Sequence, residues 1–322
     1  MLVTAVFSMI MSNTATTAMM IGAITPFLNT LEKNAPFGKA LLVGIPAAAS
    51  LGGSGTIIGS PPNAIAVKAL NNHDIEFGFL EWSIIGFPIA IIVVFIFWLF
   101  LIKKYVPKIA SIDLSFLNQL GTGETNSFFV LKKKLVLSIL LLTLILWLTG
   151  SLHKIPPSAI SLLPITLLTM FRIVSGEDVR KLPWDTLMLV EGGLSLGLAI
   201  KETQLAQYYV ELLSAYEFDF YILVVVFSLL TVVFSNFMSN TATTTILIPI
   251  AIVLVSRDIE ITIVIGLSAS AALFLPVSTP PNAIAYSTGK INLKDFRHGG
   301  IVAGLIGPIV IVGVVLLLKM FL

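Results

Sequence analysis

The sequence predicts an all-α integral membrane protein with two inverted repeats, each containing a re-entrant hairpin and a broken helix. Its 322 residues are 57% hydrophobic and only 11% charged. Because soluble domains carry roughly 25% charged residues, this composition excludes a soluble globular protein. Several apolar runs also approach or reach the ~20 residues needed to cross a hydrocarbon core. A duplicated pair of polar phrases, the third observation, predicts the repeat.

The duplicated phrases keep their order along the chain. The first is Met-Ser-Asn-Thr-Ala-Thr-Thr, at residues 11–17 and 238–244, and the second is Pro-Pro-Asn-Ala-Ile-Ala, at residues 61–66 and 280–285. Within each half, the two asparagines lie 50 and 42 residues apart, respectively. Membrane proteins that bind a solute at mid-depth are often built from such repeats, so we expect two halves of one site.

The apolar runs around the phrases divide the chain into repeats. In the second half, spans within residues 135–213 precede a hairpin at 221–256, a broken span at 259–286 and a final span at 301–322. The first half has only the later part of this order, with a hairpin at 1–31, a broken span at 39–70 and a span at 82–102. Tandem prolines break the spans because they cannot continue a helix. The predicted divisions are 1–102 for the first repeat, 103–134 for a connection, and 135–322 for the second repeat, with scaffold spans at 135–213 and the binding elements at 221–322.

Charge placement predicts the orientation. Residues 103–134 contain six lysines and two acidic residues, a net charge of +4, which places this connection in the cytoplasm by the positive-inside rule. The other connections lie on alternating sides of the membrane. They follow the positive-inside rule only if each hairpin enters and leaves the membrane on the same side. The two hairpins then enter from opposite sides, which is an inverted repeat in a multi-pass plasma (inner) membrane protein.

The residue inventory excludes several kinds of chemistry. The chain has no cysteine, which removes disulfides, thiolate metal sites and thiol catalysis. Its three histidines, His73, His153 and His298, fall between apolar runs, where we expect surface loops rather than metal ligands. A membrane-embedded enzyme would need a nucleophile–base pair or a metal cluster, and the sequence favours neither. Nucleic acid is not an expected partner.

The duplicated polar phrases, which interrupt the apolar spans, can provide binding sites for ions. Hairpin tips and broken helices leave carbonyl groups that can bind a small hard cation such as sodium, and helix N-termini that attract anions. Ser8 and Ser12, like Ser235 and Ser239, are one helical turn apart, so each pair is expected to share a helix face. Small residues also permit close helix packing in membranes, which is the alternative interpretation of a single phrase. Duplication of two linked phrases favours binding.

The paired phrases resemble those of the divalent anion/sodium symporters, a family of dicarboxylate, citrate and sulfate carriers. Residues 184–187, Trp-Asp-Thr-Leu, followed by Gly192 and Gly193, are similar to the family's span before the second hairpin. The resemblance implies a scaffold domain, usually dimeric, and a mobile domain that carries both hairpins in an elevator movement. It implies sodium as the coupling ion, no other cofactor, and a divalent anion as substrate, of which a C4-dicarboxylate such as succinate is our prediction.

The resemblance also assigns residues by motif. One sodium site would use Ser8, Ser12, Asn13 and the carbonyl near Gly59, and the other Ser235, Ser239, Asn240 and the carbonyl near Ser278. The anion would contact Asn13, Thr14, Ser60 and Pro61 from one half, and Asn240, Thr241, Thr279 and Pro280 from the other.

The N-terminus departs from the family pattern. The first phrase begins only eleven residues into an apolar run, whereas family members have several spans before it, so we expect a chain whose beginning is missing. Two alternative functions stay open at this point. One is sodium-independent exchange of dicarboxylates, and the other is a receptor-like remnant that binds an anion without transporting it.

Overall fold

A computed structural model describes residues 1–32, 35–72, 75–105, 127–182, 219–255 and 259–319, with isolated positions between 184 and 208. Helices dominate these residues and no strand occurs among them, which confirms the all-α prediction. The helices are α1 (Leu2–Ser8), α2 (Asn13–Thr30), α3 (Pro36–Gly53), α4 (Pro61–Asn71), α5 (Phe79–Lys104), α6 (Ser127–Leu148), α7 (Gly150–His153), α8 (Pro157–Met170), α9 (Gly176–Arg180), α10 (Phe220–Phe237), α11 (Asn240–Val255), α12 (Ile259–Ser268), α13 (Pro280–Ser287) and α14 (Leu293–Lys319).

The helices are interrupted where the polar phrases predict. α1 and α2 are joined by residues 9–12 and contact each other, and α10 and α11 do the same around residues 238–239. α3 and α4 are separated by residues 54–60, which include a 3₁₀ turn at Ile57–Gly59. The second break runs from residue 269 to residue 279 and begins with a 3₁₀ turn at Ala269–Ala271.

Three of the described helices are long and apolar enough to cross a membrane: α5, α10 and α14. α14 begins at Leu293, eight residues before the predicted span, because its first turns are polar and hydropathy does not detect them. The expectation that His298 lies in a loop is therefore wrong, since this residue is within α14. His153 is also helical, at the end of α7, whereas His73 lies outside the described residues.

The two halves are interleaved in the core. α4 packs on α11 and α12 of the second half, and α13 packs on α2 and α3 of the first. One large apolar cluster, with Trp82, Phe97, Ile248 and Val264 among its buried members, joins the two sets of helices. Neither half therefore buries its broken helix on its own.

The predicted scaffold spans are described only in part. α6 and α8 contact each other, and α6 reaches α5 where the rings of Phe79 and Trp147 stack with centroids 5.3 Å apart. Most of residues 184–213, the last part of the predicted scaffold spans, lie outside the described residues, as do residues 106–126 of the predicted connection. The division of the chain into 1–102, 103–134 and 135–322 stays a prediction.

A buried ionic group joins three helices at one end of the core. Asp295 at the start of α14 accepts from Tyr105 Oη at 2.9 Å and from Asn292 N at 3.0 Å, and it pairs with Lys39 Nζ on α3 at 3.3 Å. Burial, followed by the nearby Asp295 carboxylate, raises the pKa of Tyr105. Its hydroxyl therefore stays protonated and donates. None of these residues belongs to the duplicated phrases.

Loss of the Tyr105 hydroxyl is expected to destabilise this end of the core. Tyr105→Phe keeps the ring and removes one donor to a charged acceptor, which costs about 1.5–3 kcal/mol. The unfolding midpoint of the purified protein in detergent should fall, whereas Tyr221→Phe, at an exposed ring on α10, should change it little. Equal midpoints for the two variants would contradict a stabilising role for the buried hydrogen bond.

Candidate functional site

Four helices begin inside the duplicated phrases. α2 and α11 begin at Asn13 and Asn240, and α4 and α13 begin at Pro61 and Pro280. The first-turn N–H groups of a helix have no acceptor within the helix, and they form the positive end of its dipole. Each half therefore supplies two helix N-termini at its polar phrases.

In the first half, the Asn13 side chain lies at the centre of a group of oxygen atoms. One terminal atom of its amide is 2.6 Å from Ser8 Oγ, 3.0 Å from Ala49 O and 3.1 Å from Gly59 O. With nitrogen at this position, the amide donates to these oxygens. With oxygen there, four oxygens face one another, an arrangement that a small cation stabilises because backbone carbonyls at helix breaks are suited to sodium.

Glycine allows the backbone to close on this group. An ideal Cβ on Gly53 would lie 2.2 Å from Asn13 Oδ1, and one on Gly59 would lie 2.4 Å from Gly53 O. A Cβ on Gly52 would lie 2.4 Å from Ala5 Cα on α1. These distances are far shorter than van der Waals contact. The end of α3 therefore packs on α1 backbone against backbone, and the start of the break closes on the Asn13 amide.

Asn63 and Thr56 fix the shape of the first break. Asn63 Nδ2 donates to Gly53 O at 2.9 Å and to Thr56 O at 2.7 Å. The Thr56 hydroxyl donates to Met9 O in the turn of the first hairpin, and it accepts from Gly59 N at 3.2 Å. The break is thereby tied both to itself and to the hairpin.

The second break repeats the asparagine bond at an equivalent position. Asn282 Nδ2 donates to Leu275 O at 3.1 Å, and this acceptor lies seven residues before it, as Thr56 lies seven before Asn63. Ser278 Oγ donates to the same Leu275 carbonyl at 2.8 Å. The duplicated asparagines therefore have the same structural role in both halves.

The bond between break and hairpin also recurs, but with different atoms. In the second half, Phe274 N donates to Asn236 Oδ1 at 2.8 Å. Asn236 lies four residues before the asparagine of its phrase, as Met9 does in the first half. One half thus uses a side-chain hydroxyl and a backbone carbonyl, and the other uses a backbone N–H and a side-chain amide.

Two of the duplicated polar residues in the second half are among those whose buried side-chain oxygens have no hydrogen-bond partner. Ser235 Oγ and Asn240 Oδ1 are the counterparts of the Ser8 and Asn13 atoms that contact each other, yet neither makes a hydrogen bond. An unpaired buried polar group costs about 1–3 kcal/mol, and an ion or a water molecule is a usual explanation. A hydroxyl and an amide oxygen are ligands that a hard cation accepts, so the second half also fits sodium.

Ser12 and Ser239 are placed differently from the prediction. Ser12 Oγ accepts from Ala15 N at 3.2 Å and Ser239 Oγ accepts from Ala242 N at 3.1 Å, so both are N-caps. α1 ends at Ser8 and α10 ends at residue 237. The expectation that each serine pair shares one helix face is therefore wrong, because a helix end lies between the two members.

The residues predicted to meet an anion lie at the four helix N-termini. In the first half they are brought together, since the Asn13 amide contacts Gly59, the neighbour of Ser60. Between the halves, α4 contacts α11 and α13 contacts α2. Ser60, Thr241 and Thr279 are buried, whereas Thr14, Pro61 and Pro280 are exposed.

Several residues that shape the site were not predicted from the sequence. Ala49 contacts the site through its backbone carbonyl, which its residue type does not indicate. The hydrogen bonds of Thr56 and Asn236 involve different residue types in the two halves, so comparison of the duplicated phrases could not reveal these two residues. Asn63 and Asn282 were detectable, since both copies of the second phrase contain them.

Comparison with known families decides the classification. The CitMHS family, described as citrate transporter, matches residues 1–257 and, in a second match, residues 152–322. The chain belongs to this family. The chain is therefore a membrane transporter rather than an enzyme. The predicted transporter family and the prediction that the chain is not an enzyme are both confirmed.

Relatives of this transporter family cover nearly the whole chain. An uncharacterised transporter of Methanocaldococcus jannaschii is 34% identical over 318 residues, which are 94% of this chain and 69% of the relative. The sodium-dependent dicarboxylate transporters SdcS of Staphylococcus saprophyticus and Staphylococcus aureus USA300 are 30% and 31% identical over 355 aligned positions, and each alignment covers 98% of this chain and 67% of the relative. The chain thus spans about two thirds of the length of these relatives.

Proposed function

We propose that this protein carries a divalent anion into the cell together with sodium, and that the anion is a C4-dicarboxylate such as succinate. The observation that supports the proposal most strongly is the equivalence of the two half-sites. Each combines buried hydroxyl and amide oxygens with two helix N-termini. The names of the staphylococcal relatives, which are sodium-dependent dicarboxylate transporters, agree with it.

Sodium would bind where the oxygens gather. In the first half, the Asn13 amide with its oxygen toward Ser8 would leave Ser8 Oγ, Ala49 O, Gly59 O and Asn13 Oδ1 around one ion. In the second half, Ser235 Oγ and Asn240 Oδ1 would gain the partner they lack, together with the carbonyl near Ser278. Ser12 and Ser239 would lie beside these sites, where each stabilises the N-terminus of the helix that begins with the phrase asparagine.

The dicarboxylate would bind between the four helix N-termini. Two carboxylates need two positive ends, and each half offers a pair of N-termini with neutral polar side chains. The predicted contacts are Asn13, Thr14, Ser60 and Pro61 in one half, and Asn240, Thr241, Thr279 and Pro280 in the other. Sodium ions beside the anion would offset its charge at low dielectric.

The interleaved packing supports movement of both half-sites as one body. Because α4 packs on the second half and α13 on the first, the two hairpins and two breaks are held together. We propose that this body moves across the plasma (inner) membrane as an elevator, with the hairpins as re-entrant elements of an inverted repeat. A homodimer formed through scaffold spans would anchor it.

Uptake of radiolabelled succinate into proteoliposomes tests the proposal. Uptake is expected with an inward sodium gradient and not with an equal choline gradient, because sodium completes the oxygen clusters. Unlabelled citrate and sulfate, added in excess, rank the competing anions. Equal uptake in sodium and choline would refute coupling, and stimulation by preloaded dicarboxylate without sodium would identify an exchanger instead.

A further inference from the structure

Trp82 on α5 is the largest fully buried side chain, and it contacts the first break directly. Its indole Nε1 donates to Ser54 O at 2.9 Å. Gly86, one turn later on the same face of α5, leaves room for this carbonyl, because an ideal Cβ there would lie 2.6 Å from Ser54 O. Ser54 begins the segment that ends at Gly59, whose carbonyl lies at the Asn13 amide.

The opposite edge of the same indole reaches the second half. An ideal Cβ on Gly266 of α12 would lie 3.0 Å from Trp82 Cη2, 3.0 Å from Ala66 Cβ and 3.5 Å from Pro62 O on α4. The ring of Phe77 also packs edge-to-face on Trp82, with centroids 6.5 Å apart. A single rigid side chain thus fixes the first break relative to the helices on both sides of it.

The second break is supported in another way. Ile301 lies nineteen residues after Asn282, as Trp82 lies nineteen after Asn63, and Ile301 is 49% exposed and has no side-chain donor. Here α14 meets the break through its backbone, since an ideal Cβ on Gly300 would lie 2.2 Å from Phe274 Cα. The oxygens differ as well, because Ser235 Oγ and Asn240 Oδ1 have no partner in the second half.

The geometry points to Trp82 as a positioning residue that makes the two sodium sites unequal. It holds the Ser54–Gly59 segment so that Gly59 O meets the Asn13 amide before any dicarboxylate binds. The first site therefore needs only the Asn13 amide oxygen facing Gly59 O to accept sodium, and its affinity depends on the indole N–H. The second site does not depend on Trp82. This inference rests on the proposed sodium coupling.

Single-cysteine reporters test the inference, since the chain has no cysteine of its own. Ile58→Cys and Val277→Cys occupy equivalent positions in the two breaks, each two residues before the Ser60 or Thr279 N-cap. Alkylation of each reporter is followed in the purified protein while sodium replaces potassium at constant ionic strength, without dicarboxylate. Each reporter is then combined with Trp82→Phe, which keeps an aromatic ring and removes the donor.

Sodium is expected to slow alkylation of the Ile58→Cys reporter. Trp82→Phe should raise the sodium concentration that gives half of this protection by about tenfold, because one buried hydrogen bond is lost. The Val277→Cys reporter should keep its own sodium dependence in the Trp82→Phe background. Trp98→Phe, at an exposed ring on the same helix, should change neither curve. Gly266→Ala, which presses on the far edge of the indole, should shift the Ile58→Cys curve in the same direction, and it replaces Trp82→Phe if that variant does not fold.

Three other outcomes would contradict the inference. An unchanged Ile58→Cys curve in both Trp82→Phe and Gly266→Ala would overturn the positioning role. Equal shifts at both reporters would also overturn it, because they indicate general loosening of the fold. If sodium protects neither reporter in the otherwise unchanged protein, the proposed sodium sites fail, and the role of Trp82 fails with them.

Discussion

Asn13→Ala is expected to abolish sodium-dependent stabilisation of the protein and sodium-driven uptake. The substitution removes the only side-chain amide that lies within 3.1 Å of Ser8 Oγ, Ala49 O and Gly59 O among the described contacts. These oxygens then lose both their donor and the proposed fourth ligand. We expect sodium affinity to fall by about 100-fold or more, which corresponds to roughly 2.7 kcal/mol.

The measurement is the sodium-induced rise of the unfolding midpoint, compared with potassium at the same ionic strength. Asn240→Ala should also lower this response, since it removes a buried acceptor of the second half. Ser161→Ala serves as the control, because the hydroxyl of this partly exposed residue donates to the Pro157 carbonyl of its own helix, away from the duplicated phrases. An Asn13→Ala protein that keeps the full sodium response would refute the assignment of the first site.

Gly53→Ala is expected to have a comparably large effect without removing any ligand. The added methyl group would lie 2.2 Å from Asn13 Oδ1 and 3.0 Å from Gly59 O. Either the amide or the break must move, and overpacking of this kind typically costs about 1–3 kcal/mol. Sodium-driven uptake should fall by about tenfold to 100-fold as the oxygens separate.

Gly22→Ala is the matched control for this substitution. Gly22 lies in the middle of α2, and an ideal Cβ there meets nothing within 4 Å. Alanine stabilises a helix interior by up to about 1 kcal/mol relative to glycine, so Gly22→Ala should keep uptake and stability or improve them. If both glycine variants behave alike, the close approach at Gly53 does not matter for transport.

The positions of helix interruptions were predictable because their causes are local. Tandem prolines remove two backbone donors wherever they occur, so each predicted span is interrupted, and the prolines begin the helix after the break. The polar phrase likewise supplies an N-cap, Ser12 or Ser239, for the helix that follows. The same local chemistry explains why Ser8 and Ser12 do not share a helix face as predicted. Ser12 caps α2, whereas Ser8 is the last residue of α1.

Contacts between distant segments were not predictable in the same way. The bond from Trp82 to Ser54 depends on how α5 lies against the first break, and nothing in either phrase encodes it. The ionic group of Lys39, Tyr105 and Asp295 joins residues that are up to 256 positions apart in the sequence. A single sequence shows that these residues are polar in an apolar chain, but not that they meet.

The packing of α2 on α13 has a consequence for biosynthesis. Lys290 Nζ also donates to Leu28 O at 2.6 Å, a contact between residues that are 262 positions apart. At roughly 5–20 residues per second, translation separates these two residues by on the order of ten to fifty seconds. During that interval the face of α2 that contacts α13 in the folded protein lacks this neighbour. The first hairpin therefore cannot complete its packing until the ribosome delivers α13.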